Sequence, residues 1–193
     1  MKLAATTLTH QRVRLEPFEE RHREGLTAAA ADPAIWRHMP YDVVGHGYSA
    51  WFDWLLAQQA EGRWAPHAVV APTGRIVGQS CYLNVRPRDR GVEIGGTWYA
   101  PEAQGTAVNP AAKLLLLEHA FASGAERVEF KTDALNARSR AAMEKLGCTF
   151  EGVFRRHMLR PDGTWRDSAY YSIIREDWPD SRARLETRLA AFG

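Results

Sequence analysis

Cysteine is scarce in this chain of 193 residues: Cys81 and Cys148 are the only two. Both lie in apolar, strand-like surroundings rather than in a paired framework. A disulfide scaffold is excluded as the basis of the fold, and a reduced, cytoplasmic setting is expected. There is no CxxC, and the seven histidines show no ligand spacing such as HExxH, so no structural or catalytic metal is expected. No apolar run approaches the ~20 residues of a membrane span. The first residues carry neither an apolar core nor a small-residue cleavage pattern, so neither a membrane partner nor a signal peptide is expected. An excess of one charge is lacking too. A formal net charge of +2 is too small to argue for nucleic acid, though a mildly basic surface suits an anionic ligand. Repeats, low-complexity tracts and dividing linkers are absent. What is there is 45% hydrophobic and 25% charged, enough for a substantial core in a single domain over residues 1–193.

Taken in order, residues 12–15 alternate as a first strand, and residues 19–31 have helical composition, ending at the Asp32-Pro33 breaker. Residues 35–48 are irregular and rich in aromatics. Trp36, Met39 and Tyr41 either pack or line a pocket for a substrate. A helix over residues 49–61 follows, then strands at 67–71 and 76–85 joined by the turn Pro72-Thr73-Gly74. In the next strand, residues 92–99, simple alternation sets Val92, Ile94, Gly96 and Trp98 on one face and Glu93, Gly95, Thr97 and Tyr99 on the other. The helix 110–123 is apolar over most of its circumference, which predicts a central element packed on a sheet. A strand at 128–132, a helix at 137–146 capped by Asn136 and stopped by Gly147, and a hairpin turning at Pro161-Asp162-Gly163 complete the core. The tail 175–192 reads as an amphipathic helix interrupted at Pro179. Strands and helices alternating around a sheet of about seven strands indicate one α/β domain with a mixed sheet.

Residues 92–113, VEIGGTWYAPEAQGTAVNPAAK, are the centre of this layout. Asn109 is placed as the N-cap of the apolar helix and Pro110 as its first residue, where a missing N–H costs nothing. A loop delivering free amides into a helix N-terminus favours an anion, so a phosphate-bearing ligand is expected here. The bland alternative is a plain strand-to-helix connection.

Three segments then align: EIGGTWYAP closing a strand, QGTAVN opening an apolar helix, and NARSRAAMEKLGCTFEGVFR running into a hairpin. Together with Asp162, Gly163, Asp167, Tyr171 and Ser172, this combination resembles the GNAT superfamily of acyl-CoA-dependent N-acyltransferases. It is most similar to the branch of the RimJ/RimL type, which acetylates ribosomal-protein N-termini. The resemblance covers residues 12–178, with the C-terminal helix beyond the core. It implies a mixed, mostly antiparallel sheet splayed into a V after the strand that ends near Tyr99. Acetyl-CoA would lie in the V as cosubstrate. Backbone groups of Thr97, Trp98 and Tyr99 would hold the acyl and pantetheine arm as an added strand does. The amides of Gly105, Thr106, Ala107, Val108 and Asn109, after Gln104, would hold the pyrophosphate. An Asn matching Asn136 bonds pantetheine or orders water.

The same resemblance exposes departures. The superfamily loop has Gly where Ala107 stands, and a second small residue where Asn109 stands. Ala resists positive φ, so either the pyrophosphate sits slightly differently, with Asn109 and Lys113 adding side-chain donors, or the site binds acyl-CoA poorly. Met143 occupies the place where many members carry a Tyr acid. In this branch Ser139 is the implied donor to the leaving thiolate, which with a free-thiol pKa of ~8.5 needs little help. Glu93 is the expected base; its bland role is to pair with a basic neighbour on the sheet. The position where the branch carries a further carboxylate falls at Met158, and His157 beside it has a suitable pKa for proton transfer.

The expected activity is therefore transfer of an acetyl group to a primary amine by direct attack in a ternary complex. Neither cysteine sits in a nucleophile constellation. The acceptor is a protein N-terminus or a small molecule. The alternative is an acyl-CoA-binding module with little catalysis. Nucleic-acid binding through Arg155, Arg156, Arg160 and Arg166 ranks last, since such a charge run is usually a solvated face. A homodimer through the C-terminal helix stays open.

Overall fold

A computed structural model describes residues 1 and 3–192. Eight strands form one sheet in the order β1-β2-β3-β4-β5-β6-β8-β7. They are β1 (Leu8–His10), β2 (Val13–Pro17), β3 (Trp64–Val70), β4 (Ile76–Arg86), β5 (Gly91–Tyr99), β6 (Arg127–Asp133), β7 (Thr149–Leu159) and β8 (Trp165–Ile174). Every neighbouring pair is antiparallel except β5–β6. The helices are α1 (Arg23–Ala29), α2 (Val43–His46), α3 (Tyr48–Ala60), α4 (Val108–Ala122), α5 (Ala137–Leu146) and α6 (Trp178–Ala190). Among the described residues no helix is long and apolar enough to cross a membrane.

The strand beyond the expected seven or so is β1, three residues that pair with β2. It is too short to carry a readable alternation. Pro179 does not interrupt the last helix: it lies in the first turn of α6, where the missing N–H has no intrahelical partner to lose.

Each face of the sheet has its own core. One is built on α4, whose Ala111, Ala112, Leu116, Leu117 and Ala120 are fully buried with Leu15, Tyr82, Val92, Val128 and Ile173. Burying each such Leu contributes about 1.5–3 kcal/mol, so the helix is fixed to the sheet along its length. The other core joins Phe18, Leu26, Trp36, Phe52, Leu55, Cys81, Leu83 and Trp98 beneath α1 and α3.

Strand β5 serves both cores because it carries a bulge. Gln79 pairs with Trp98 but Cys81 with Gly95, so two steps along β4 meet three along β5. An inserted residue moves everything after it to the opposite face. Gly96 absorbs the kink at φ +57°, where a side chain is disfavoured. The expected alternation is thereby corrected. Ile94 packs on the α4 side while Trp98 packs on the α3 side, and Tyr99 returns to the α4 core.

Candidate functional site

The site begins where the sheet parts. β5 and β6 pair only through Gly91–Arg127, Val92–Val128 and Glu93–Glu129, although β5 continues to Tyr99 and β6 to Asp133. Six residues of β5 past Glu93, about 20 Å at ~3.3 Å per residue, therefore face β6 without a ladder. The splay starts at Glu93, well before the end of the strand where it was expected. Backbone groups along such an open edge seek partners.

The mouth of this gap is the loop between β5 and α4. The helix starts at Val108 after Ala107, so Asn109 is not the N-cap and Pro110 is not the first helical residue. The reason is Thr106. Its hydroxyl donates to the Ala103 carbonyl at 2.7 Å and accepts from the Val108 amide at 3.3 Å, turning the chain into the helix two residues early. Ala107 takes φ −65°, ψ −13°, a conformation open to any L-residue. Positive φ falls instead on Gly105, at +75°. The missing loop glycine therefore creates no backbone conflict. Among the described residues the amides of Gly105, Thr106, Ala107 and Asn109 donate to no acceptor. Four free amides at the N-terminus of a 15-residue helix make a site for an anion.

Gln104 ties this loop to its surroundings. Its Nε2 donates to the Tyr99 carbonyl and its Oε1 accepts from Arg138 of α5, both at 2.8 Å. Arg138 is thus the cation beside the loop, and sequence reasoning missed it. Lys113 was expected there but is turned onto the sheet. It is 9% exposed, and its Nζ donates to Thr97 Oγ1 at 2.8 Å and Ser80 Oγ at 3.3 Å. Burial without a carboxylate pulls its pKa down to about 7, since removal from water penalises the charged form.

Asn136 caps α5 as expected, its Oδ1 accepting from the Ser139 amide at 3.0 Å. Its side-chain amide remains a donor. Ser139 Oγ, half-buried in the first turn of α5, has no hydrogen-bond partner among the described residues. Both residues follow β6 directly, so they stand at the same open end of the V as Tyr99.

The face of the sheet opposite α4 carries a charged floor. Strand register puts Glu93 of β5, Lys131 and Asp133 of β6, and Ser168 and Tyr170 of β8 on one side. Glu93 is 2% exposed, and its Oε2 accepts from Asn84 Nδ2 at 2.8 Å and Lys131 Nζ at 3.0 Å. Among the described residues its Oε1 accepts no bond. His157 of β7 joins them through Ser168 Oγ at 3.0 Å and Tyr170 at 3.3 Å. Burial lowers the His157 pKa, and Lys131 and Arg166 lower it further, so the imidazole is neutral near pH 7. Asp133 accepts from Arg160 at 2.7 Å. Burial works to raise its pKa, but Arg160 holds the carboxyl below its usual value.

Over this floor run residues 36–42. Trp36, Met39 and Tyr41, the expected substrate residues, line one cleft of about 220 Å³ together with Arg160, Pro161 and Asp162. Tyr41 also packs on Trp51, 4.2 Å between centroids, in a cluster with Trp54 and Trp64. The solvated-face reading of the hairpin arginines is corrected for two of them. Arg166 is buried and Arg160 is drawn in by Asp133. Cys81 and Cys148 are buried and unpaired. Burial pushes the Cys148 thiol up to about 12 and the Cys81 thiol higher still, so neither is a nucleophile. No metal-ligand cluster exists among the described residues.

Comparison with known proteins agrees with this geometry. A family model described as Acetyltransferase (GNAT) domain matches residues 12–149. A T. thermophilus protein assigned as an acetyltransferase is 33% identical, with 98% of this chain and 100% of that one aligned at a TM-score of 0.86. A GCN5-related N-acetyltransferase from Brucella melitensis is 25% identical, covering 98% and 87% of the two chains, at 0.86. Mycobacterium smegmatis RimJ in complex with CoA-disulfide is 26% identical, covering 95% and 93%, at 0.79. Among curated proteins there is no match.

Proposed function

Because the chain belongs to the GNAT acetyltransferase family, in its RimJ-like branch, we propose that it transfers acetyl from acetyl-CoA to a primary amine by direct attack in a ternary complex. The observation that carries this reading is the parting of β5 from β6 after Glu93, with four free amides at its mouth. Such a gap has backbone donors and acceptors for an extended arm and a helix N-terminus for a diphosphate. The RimJ structure of similar fold, in complex with CoA-disulfide, supports a CoA-bearing ligand.

Acetyl-CoA supplies an activated thioester, whose acyl carbon is taken by the amine as the thiol departs. The chain's own residues do the rest. Thr97, Trp98 and Tyr99 orient the arm along the open edge. The free amides of Gly105, Thr106, Ala107 and Asn109, steadied by Gln104 and Arg138, hold the phosphates, while the Val108 amide is held by Thr106 Oγ1. Asn136 adds its side-chain amide while its oxygen caps α5. Ser139, with an uncommitted hydroxyl, donates a proton toward the sulfur. Glu93 Oε1 takes the amine proton, directly or through water, with neutral His157 beside it as a second acceptor. Trp36, Met39 and Tyr41 bound the acceptor cleft. With no thiol near ionisation, no covalent acyl-enzyme is needed.

The test is calorimetric binding of acetyl-CoA followed by thiol-release assays over a panel of amines and peptides. Ser139→Ala and Glu93→Gln should each lower kcat on the order of 10²-fold while leaving acetyl-CoA affinity within about twofold. Binding without thiol release from any amine would instead favour an acyl-CoA-binding module. Absence of binding would remove the reading altogether.

A further inference from the structure

One cation on the acceptor face stands without an anion. Arg166 of β8 is 4% exposed. Its Nη1 donates to the His38 carbonyl at 3.3 Å, and its Nε is buried with no partner. Among the described residues no carboxylate lies within ion-pair distance of it. The neighbouring cations are matched: Lys131 with Glu93 at 3.0 Å, Arg160 with Asp133 at 2.7 Å. Directly across the strand pair from Arg166 stands Met158, which offers no charge. Buried charges are ordinarily paired, and an orphaned buried donor calls for a ligand or an ordered water. A guanidinium presents a planar fork that fits a carboxylate through two parallel bonds.

The position of Arg166 says which ligand. It lies within electrostatic reach of Glu93 and Asp133 and of Tyr41 and Arg160, two residues that line the cleft. His38, whose carbonyl it holds, stands between Arg37 and Met39 of the cleft wall. We propose that Arg166 binds a carboxylate of the acceptor, so that the amine acetylated belongs to a molecule bearing both groups. Glu93 then faces the amine end and Arg166 the carboxylate end of the same molecule. The inference rests on the transfer reading above. Two sources share this chemistry: the α-carboxylate of a free amino acid, and the side chain of an acidic second residue behind a peptide N-terminus.

Matched pairs decide it. Thiol release from acetyl-CoA is measured with free amino acids against their carboxamides, and with dipeptide amides ending in Asp against the same with Asn. Wild type should show kcat/KM about tenfold or more higher for the carboxylate of at least one pair type. The pair type that shows it names the source. Arg166→Gln should remove that preference by lowering the carboxylate value alone, leaving the carboxamide within about twofold, and Arg166→Lys should fall between. A loss common to both members of a pair would mark a structural role and overturn the inference. So would equal wild-type rates for the two members, a comparison that needs no variant to fold. Thiol release only from amines without a carboxylate, or from neither set while acetyl-CoA binds, also overturns it, and leaves transfer to other amines standing or falling on the wider panel. Failure of wild type to bind acetyl-CoA overturns the transfer reading itself.

Discussion

Replacing Lys113 by Met should stabilise the protein, and the gain should disappear at high pH. Lys113 is 9% exposed, its Nζ bonds two hydroxyls and lies 5.8 Å from the centre of the Phe130 ring, and no carboxylate pairs with it among the described residues. Its pKa falls from the ordinary 10.5 to about 7. At ~1.36 kcal/mol per tenfold, that corresponds to a ceiling of about 5 kcal/mol for holding the charge inside. Part of this is returned by the bonds to Thr97 and Ser80, each worth ~1 kcal/mol. Their loss leaves no orphan, because Ser80 Oγ and Thr97 Oγ1 already bond each other at 2.7 Å. Met matches the aliphatic stem, so a net gain of about 2 kcal/mol is expected at pH 6–7, or ~1 M in urea midpoint. The sign with pH follows from proton counts. Between about 7 and 10.5 the unfolded lysine is protonated and the folded one largely neutral, so wild-type stability rises with pH across that window. The difference between variant and wild type should therefore shrink from pH 7 to pH 10. Urea titrations at pH 6.5, 8 and 9.5 check this, with CoA titrated into both proteins in parallel. A Met variant that is less stable at pH 6.5, by an amount that does not change with pH, would refute the reasoning. A large fall in CoA affinity would return Lys113 to the phosphate site.

The two loop positions, Gly105 and Ala107, separate in the same CoA titration. Gly105→Ala places a side chain at φ +75° and should weaken CoA binding about tenfold, whereas Ala107→Gly, at φ −65°, should change it less than about twofold; the opposite ranking in titration calorimetry would move the anion site elsewhere. Asn136→Ala removes the bond to the Ser139 amide and should cost ~1 kcal/mol, a fall in Tm of ~2–4 °C, with a further loss of CoA affinity if its side-chain amide holds the arm. A Cys81→Ala, Cys148→Ala double variant should keep its catalytic rate, because both thiols are buried and far from ionised. Parallel double-reciprocal lines, the signature of a covalent intermediate, would sink direct attack.

What the sequence disclosed and what it hid divide along the range of the interactions. The bounds of α5 and β7 were legible because Asn136, Gly147 and the turn at 161–163 act through neighbours in the chain. Even the apolar circumference of α4 is a local pattern. Misreadings arise where two local signals compete. Asn109-Pro110 looked like a helix start, yet the Thr106 hydroxyl closes the turn first. Alternation along β5 was sound up to Gly95, but a bulge has no period to betray it, and one inserted residue sends Trp98 to the other core.

The charged floor was legible only in part: Glu93 and His157 were singled out, but not their partners Lys131, Ser168 and Tyr170. Arg166 sits in a basic run that any composition argument assigns to solvent. Its burial comes from a carbonyl 128 positions away, on a loop whose aromatics gave no hint of what they cover. Glu93 shows the same limit from the other side. Either expected role, base or ion-pair partner, satisfied the sequence. The fold shows the pairing role, with Oε2 accepting from Lys131 and Asn84, while Oε1 accepts no bond among the described residues and is free for the proposed role as base. A base held by one oxygen and working through the other needs both neighbours, so Lys131→Met should impair turnover as Glu93→Gln does, while leaving CoA affinity unchanged.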